Sequence, residues 1–234
     1  NIRQTFRVAK IELSSMFYSP VAWLVLIIFA LLIGYDYANV FDSQLRAQSL
    51  GSGLWNVSSA IYNSWMTGIL KPILRNLYLY IPLITMGLMS REYQSGSIKL
   101  LYSSPVKNSS IIFGKYLAMM CYGAALMSII GLNVLFSWLT VENFQISMLL
   151  VGMLGIYLLI LAYSAIGLFM STLTAYQVVA AVGTLAGLAV LNFIGDVGQG
   201  IDFVRDITFW LSIYGRSISF IEGLLPSADV MYFL

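Results

Sequence analysis

Long apolar runs separated by short polar segments dominate the pattern of this chain. Between Tyr116 and Gly195, a stretch of eighty residues, the only charged side chain is Glu142. A helix rises about 1.5 Å per residue and a hydrocarbon core is about 30 Å thick, so this stretch is long enough for three or more crossings. The pattern predicts an all-α polytopic membrane protein with five complete spans and the start of a sixth, at about 20–40, 74–90, 111–139, 144–170, 175–194 and from about 228 onward.

Composition agrees with this pattern and narrows the function classes. Hydrophobic residues make up 59% of the 234 residues and charged residues only 9%, with a mean hydropathy of +0.85, whereas soluble domains carry about a quarter charged residues. Such hydrophobicity excludes a disordered chain. The 12 Lys and Arg against 10 Asp and Glu leave a net charge of +2. A nucleic-acid-binding domain has a larger basic excess, so no nucleic-acid partner is expected.

The chain lacks the residues that metal sites and disulfide bonds need. The chain contains no His and a single Cys, Cys121, which lies inside an apolar run. Disulfide frameworks need pairs of cysteines, and zinc sites need several Cys or His ligands. No metal site is therefore expected, and Cys121 is interpreted as a small packing residue.

Residues 1–19 show the periodicity of an amphipathic helix that is too polar to span a membrane. Arg3, Arg7 and Lys10 share one face of this helix. The opposite face carries apolar side chains at helical spacing, namely Ile2, Phe6, Ala9, Leu13, Met16 and Phe17. This pattern is typical of an interfacial helix whose cations face anionic membrane lipid and water. The alternative is a simple positively charged flank of the first span.

The distribution of Lys and Arg predicts the orientation of the spans. With the N-terminus in the cytoplasm, the cytoplasmic segments 1–19, 91–115 and 171–174 hold seven cations and the outer segments hold five. The outer segment 196–229 also carries five Asp and Glu. A cytoplasmic N-terminus is therefore favoured. The last four residues resemble the opening of a sixth span, so we expect the natural protein to continue beyond them.

The polar segment 91–110, between the second and third predicted spans, is the most specific part of the sequence. Glu92–Ser104 is predicted to form one short helix that ends at Pro105. The apolar edge of this helix consists of Ile98, Leu101 and Tyr102. A short helix of this kind, on the cytoplasmic side, is suited to docking in a groove of a cytoplasmic partner. The alternative, from composition alone, is an ordinary solvated loop.

The residues of this segment resemble those of a known family. The spacing Glu-x3-Gly-Ser-x3-Leu-x2-Ser-Pro-Val, with Gly-Lys starting nine residues after the proline, is similar to the first cytoplasmic loop of ABC-2-type ABC transporter permeases. Within that group it most resembles the permeases associated with gliding motility. The matching residues are Glu92, Gly96, Ser97, Leu101, Ser104, Pro105, Gly114 and Lys115. Lys99 departs from the family pattern, in which an acidic residue is more common at this position.

The resemblance implies a six-span, type V exporter-like ABC-2 permease in the bacterial inner membrane, with its last span incomplete in this chain. It also implies that ATP and Mg bind to a separate ABC ATPase, and the sequence contains no G-x-x-x-x-G-K-[ST] phosphate loop of its own. The permease would act as a homodimer or heterodimer, and an extracytoplasmic accessory protein is a further expected partner. The resemblance makes the loop the coupling helix for the ATPase, through Glu92, Gly96, Ser97, Ile98, Leu101, Ser104 and Pro105.

Two further patterns concern contacts between helices. Gly183 and Gly187 form a small-xxx-small pair in the fifth predicted span, which allows close approach of helices within the chain or between two permease copies. The outer segment 195–225 carries an amphipathic stripe that includes Phe203, Ile207, Trp210 and Tyr214. The stripe predicts an interfacial element, which the resemblance places near the exit of the transport pathway. The alternative is a surface helix packed on the spans.

Two functions fit these features, and others are disfavoured. The first is the transmembrane permease subunit of an ATP-driven exporter. The second is a membrane scaffold that uses the ATPase of its partner to drive envelope, gliding or secretion machinery without transporting a substrate. An intramembrane enzyme is disfavoured because the chain has no His and no paired carboxylates within its spans, so no catalytic residue is expected. The lack of a central charge in any predicted span also argues against an ion-coupled carrier.

Overall fold

In the computed structural model of the protein, the described residues are 2–49, 66–103, 106–140 and 146–194. Eight α-helices lie within these ranges. In chain order they are α1 (Ile2–Tyr18), α2 (Pro20–Ser49), α3 (Lys71–Thr85), α4 (Ser90–Ser95), α5 (Ile98–Ser103), α6 (Asn108–Thr140), α7 (Ile146–Leu173) and α8 (Gln177–Phe193). A π-helical turn, Met66–Leu70, leads directly into α3.

The long helices α2, α3, α6, α7 and α8 pack into one bundle. Two hydrogen bonds show that α2 and α6 run parallel. Near the start of α2, the Ala22 carbonyl accepts a hydrogen bond from the hydroxyl of Tyr122, in the middle of α6 (2.7 Å). Towards the other end, the Ser137 hydroxyl donates to the Tyr37 hydroxyl (3.2 Å). We call the end of the bundle that holds residues 86–103 the loop end, and the opposite end the far end. The largest fully buried side chains include Phe29, Ile33, Leu77, Ile81, Tyr122 and Tyr163.

The helices lie over the first five predicted spans. Within the described residues, four helical stretches are long and apolar enough to cross a membrane, namely Pro20–Ser43, Gly68–Ser95, Asn108–Leu139 and Leu149–Leu173. α8 is also apolar but has only 17 residues. The predicted sixth span lies outside the described residues, and so does the outer amphipathic element with Phe203, Ile207, Trp210 and Tyr214.

Helix α1 packs mainly on α6, and its predicted apolar face is only partly covered. Ala9 and Met16 are buried, whereas Ile2 is 76% and Phe6 is 58% exposed. The first turns of the predicted apolar face are therefore open on the surface of the molecule, which suits contact with lipid. The three predicted interfacial cations are all exposed, namely Arg3, Arg7 and Lys10. The position of α1 at a membrane surface stays a prediction.

The packing prediction for Cys121 is wrong within this chain. Cys121 is exposed, although it lies in the middle of an apolar helix. Ala118, Tyr122 and Leu126 are buried and define the face of α6 that meets the bundle, and Cys121 lies off that face. An apolar run identifies a membrane helix but does not indicate which of its faces is packed.

Gly167 allows α3 and α7 to touch near the loop end. A Cβ atom added at this glycine would lie 2.6 Å from the Cβ atom of Thr85. The Thr85 hydroxyl donates to the Ile81 carbonyl at 2.9 Å, and its side chain is β-branched, so it has little freedom to move away. The close contact therefore depends on the absence of a side chain at position 167.

Replacing Gly167 with Ala is expected to lower the free energy of unfolding by about 1–3 kcal/mol, because the added methyl group overpacks the contact with Thr85. The measurement is equilibrium unfolding of the purified protein in detergent and lipid micelles. Gly34→Ala is the matched control, since a Cβ added at Gly34 meets no atom within 4 Å. Equal stability of the two variants would contradict the close contact.

Candidate functional site

A buried ammonium group connects three helices at the loop end. Lys115 lies near the start of α6, and its side chain is only 2% exposed. Its Nζ lies 2.7 Å from Oε2 of Glu12 on α1 and 2.7 Å from Oε1 of Glu92 on α4. We call Glu12, Glu92 and Lys115 the charge cluster. It brings together two residues of the predicted loop motif and one acid of the N-terminal helix.

Gly114 explains why Glu12 reaches Lys115. A Cβ atom at this glycine would lie 2.7 Å from Cβ of Val8 and 3.0 Å from the carbonyl oxygen of Thr5. Any residue larger than glycine would therefore push α1 away from α6. Glu12 is one helical turn beyond Val8, so it lies on the same face of α1. Gly114 sets the distance between the helices, and Lys115 supplies the charge that Glu12 meets.

Two carboxylates share one ammonium group in this poorly solvated place. The side chains of Glu12 and Glu92 are only 17% and 24% exposed. Oε2 of Glu92 is buried and has no hydrogen-bond partner among the residues that the structure describes. Removing a charge from water costs several kcal/mol, and an ion pair offsets that cost only while its geometry is kept. The charge cluster therefore holds α1, α4 and α6 in one arrangement, since separating them leaves an unpaired buried charge.

A second set of contacts fixes the backbone where α3 passes into α4. Ser171, on α7, accepts hydrogen bonds from the backbone N–H groups of Met89 (2.9 Å) and Ser90 (3.1 Å). The same hydroxyl donates to the carbonyl of Met86 at 3.1 Å. The first N–H groups of a helix lack intrahelical partners and are usually capped by a side chain just before the helix. Met89 supplies no such cap, so Ser171 caps α4 from another helix.

The predicted single helix Glu92–Ser104 is in fact two short helices, α4 and α5, separated at Gly96. Gly96 has a φ angle of 71°, a left-handed conformation that ends helices and that favours glycine. Its N–H donates to the Tyr93 carbonyl at 3.2 Å. Three predicted coupling residues fall outside what the structure describes, namely Ser104, Pro105 and the side chain of Leu101.

The remaining loop residues divide into an inward and an outward group. Glu92 reaches Lys115 on the inner side of the loop. Ile98 is only 9% exposed, so it faces the bundle and is not part of the exposed docking edge that the sequence suggested. Ser97 lies between them, and its hydroxyl donates to the Glu92 carbonyl at 3.5 Å. The exposed residues of the loop include Gln94, Ser95, Gly96 and Lys99.

The structure does not bring the other predicted residues to this site. The cations Arg3, Arg7 and Lys10 point away from it on the exposed side of α1. On α8, Gly183 and Gly187 face Met170 of α7, since Cβ atoms added there would lie 3.9 Å from its Sδ and 3.6 Å from its Cε. The glycine pair thus packs within the chain, and a contact with a second copy stays a prediction.

Sequence reasoning missed two residues of the site, Glu12 and Ser171. Glu12 is the only acid in residues 1–19. A single acid on a helix that is otherwise cationic could have indicated an ion pair. Nothing in the local sequence marks Ser171, because the backbone groups that it binds lie more than eighty residues earlier. In the described parts of the chain, no group of three or more Asp, Glu, Cys or His side chains is placed to hold a metal ion.

A comparison with protein-family models gives a match to the ABC-2 family transporter protein model over residues 6–201. The chain belongs to the ABC-2 family. The matched range contains the whole charge cluster and helices α2 to α8. Neither a search of curated proteins nor a search of solved structures found a match.

Family membership confirms the predicted family and the predicted class of membrane transporter. This ABC-2 protein is a multi-pass membrane protein and a membrane component of a transporter, and its family implies ABC ATPase subunits as partners. The match identifies the family but no subgroup within it, so membership in the gliding-motility subgroup stays a prediction.

Replacing Lys115 with Met in this ABC-2 protein is expected to lower the free energy of unfolding by about 3–5 kcal/mol, because two buried carboxylates lose their shared partner. Glu12→Gln is expected to cost much less, since Lys115 keeps one carboxylate. Equilibrium unfolding in mixed micelles measures both effects. Lys107→Met removes an exposed cation at the same end and is the matched control. A loss no larger than the control's would argue against a buried charge cluster.

Replacing Ser171 with Ala is expected to loosen the turn between α3 and α4, because two backbone N–H groups lose their acceptor. Hydrogen exchange at residues 86–95 should become about tenfold faster, which corresponds to about 1.4 kcal/mol. The control is Thr172→Ala, since the Thr172 hydroxyl donates to the carbonyl of Phe169 in its own helix. The same exchange rates in both variants would show that Ser171 is not the cap of α4.

Proposed function

We propose that the chain is the transmembrane permease subunit of an exporter-type ABC transporter in the bacterial inner membrane, with its N-terminus in the cytoplasm. A separate ABC ATPase would bind ATP and Mg and hydrolyse the nucleotide. This chain would convert the resulting motion into movement of a substrate across the membrane. Family membership supports the transporter assignment. The observation that carries the coupling role is the charge cluster around Lys115, which joins the loop to the spans.

The loop is tied to three spans at once. It continues directly into α3 through the turn at residues 86–89. Ser171 binds that turn to α7, and Lys115 binds α4 to α6. A displacement of the loop therefore moves the ends of three spans together instead of bending the loop alone. This is the arrangement that a rigid-body gating mechanism requires. α1 would move with them, because Glu12 shares the ammonium group of Lys115.

The exposed side of the loop is the proposed docking surface for the ATPase. Gln94, Ser95 and Lys99 present polar side chains there, and Gly96 lies between them with no neighbouring atom within 4 Å of an added Cβ. Lys99 would pair with an acidic residue of the ATPase. Glu92 would act on the inner side, where it passes the movement of the loop to α6.

The full transporter would contain two permease copies, identical or related, and two ATPases. An extracytoplasmic accessory protein and membership in the gliding-motility subgroup belong to the same proposal. The neighbouring reading frames bear on both. An adjacent ABC ATPase and a large extracytoplasmic protein would support them.

Co-expression with the adjacent ABC ATPase tests the proposal. The tagged permease should capture the ATPase, and Lys99→Glu should reduce that capture at least about tenfold, a change of about 1.4 kcal/mol, because it reverses the charge of the docking surface. Lys107→Glu, an exposed cation outside α4 and α5, should leave the capture nearly unchanged.

Glu12→Gln separates docking from coupling in the same assay. It should leave ATPase capture unchanged, since Glu12 contacts Lys115 on the inner side of the loop and not its exposed side, and it should lower the ATP hydrolysis that the permease stimulates in nanodiscs. A wild-type protein that captures no ATPase would overturn the function. Equal loss of capture in Lys99→Glu and Lys107→Glu would overturn the docking surface.

A further inference from the structure

A pocket of about 210 Å³ lies between α2 and α3, in the half of the bundle towards the far end. Polar groups of Asp36, Asn76 and Tyr80 line one part of it, and the ring of Phe29 lies beside Tyr80. None of these residues belongs to the loop-end site. The pocket is therefore a separate feature that the coupling function does not use.

Asp36 is a carboxylate within a membrane span. Asp36 lies on the candidate span Pro20–Ser43, past its middle and towards the far end. In the part of the chain that the structure describes, no Lys or Arg lies within 4.0 Å of its carboxylate and no hydrogen bond reaches it. Asp42, farther along α2, is instead paired with Arg46 at 2.8 Å. An unpaired carboxylate on a membrane span is costly, and such residues usually have a function.

The groups around Asp36 have the chemistry that binds an ammonium ion. The rings of Phe29 and Tyr80 meet edge to face, with centroids 5.7 Å apart and an interplanar angle of 85°. Cations bind the faces of aromatic rings within about 6 Å of the centroid. The Asp36 carboxylate would form a charge-assisted hydrogen bond or ion pair with the same cation, and the amide oxygen of Asn76 is a further acceptor. An anionic ligand would be repelled by Asp36.

The rest of the pocket is apolar and open at the surface of the bundle. Leu32, Ile33 and Ile73 line it. Leu32 is 46% and Tyr35 is 67% exposed, so the pocket is accessible sideways between the two helices. Its volume is below the roughly 300–1,000 Å³ of pockets that enclose a whole drug-sized ligand. It is large enough for a head group whose hydrocarbon chain lies outside.

We propose that this pocket binds the ammonium head group of a cationic amphiphile. Asp36 is the counter-ion, Tyr80 is the aromatic wall, and the buried ring of Phe29 holds Tyr80 in place. The hydrocarbon chain lies along the exposed side of α2 and α3. Binding at this site needs no ATPase, so the inference is independent of the proposed function.

Equilibrium dialysis of the purified full chain with radiolabelled decyltrimethylammonium tests this site. The protein is kept in dodecyl maltoside micelles, whose uncharged head group does not compete for Asp36, and empty micelles give the background partitioning. The wild-type chain should bind one amphiphile saturably. Asp36→Asn should raise the Kd at least about tenfold, or about 1.4 kcal/mol. Asp42→Asn, which removes an exposed carboxylate of the same helix, should leave the Kd within about twofold.

A second variant and a second ligand test the role of charge in the pocket. Asn76→Lys places a cation in the same pocket as Asp36 and should abolish saturable binding. The uncharged analogue, with carbon in place of nitrogen, should not distinguish the wild-type chain from Asp36→Asn. Thermal midpoints show whether each variant is folded, and Asp36→Asn is expected to be at least as stable as the wild type because it removes an unpaired charge.

Two results would overturn the site: no saturable binding to the folded wild-type chain, or an unchanged Kd in Asp36→Asn. Neither result would alter ATPase capture through the loop. Failure of this site and failure of the permease function are therefore distinguishable.

Discussion

The loop end of this protein depends on the ion pairs of one buried ammonium group. Lys115 is almost completely shielded from water, and in such a place its charge is tolerated only with a carboxylate in contact. One carboxylate comes from α1 and the other from α4. Neither α1 nor α4 is by itself long and apolar enough to cross a membrane. The position of both relative to α6 is therefore set by electrostatics and by the close approach that Gly114 permits.

The same constraint gives the loop two sides with different tasks. Glu92 and Ile98 face inward and hold the loop to the spans, whereas Lys99 and its neighbours are exposed. Gly96 makes this division sharp, because its left-handed conformation ends α4 and redirects the chain into α5. Ser171 completes the attachment by capping α4 from α7. A partner that pushes on the exposed side would thus act on the spans directly, without first deforming the loop.

Helix α3 connects the loop end with the pocket towards the far end. Asn76 and Tyr80 line the pocket, and a few residues later the helix passes into the turn that Ser171 holds. Pro82 lies between the two regions. Proline provides no N–H group for the helical hydrogen-bond ladder, so this is the point at which α3 bends most easily. A bend at Pro82 would let the loop end move without displacing the walls of the pocket, in keeping with two separate sites.

The sequence by itself determined the class of protein and the approximate position of the four helices that are long enough to cross a membrane. Lipid offers no hydrogen bonds to the backbone, so long apolar runs must be helical. The spacing from Glu92 to Lys115 also indicated the correct family. Only the tertiary structure decided which faces of the helices meet: Lys115 with Glu12, Ser171 with the turn before α4, and Cys121 on the outside. In a membrane helix both the packed face and the lipid face are apolar, so periodicity does not distinguish them. Contacts between residues about a hundred positions apart depend on that choice.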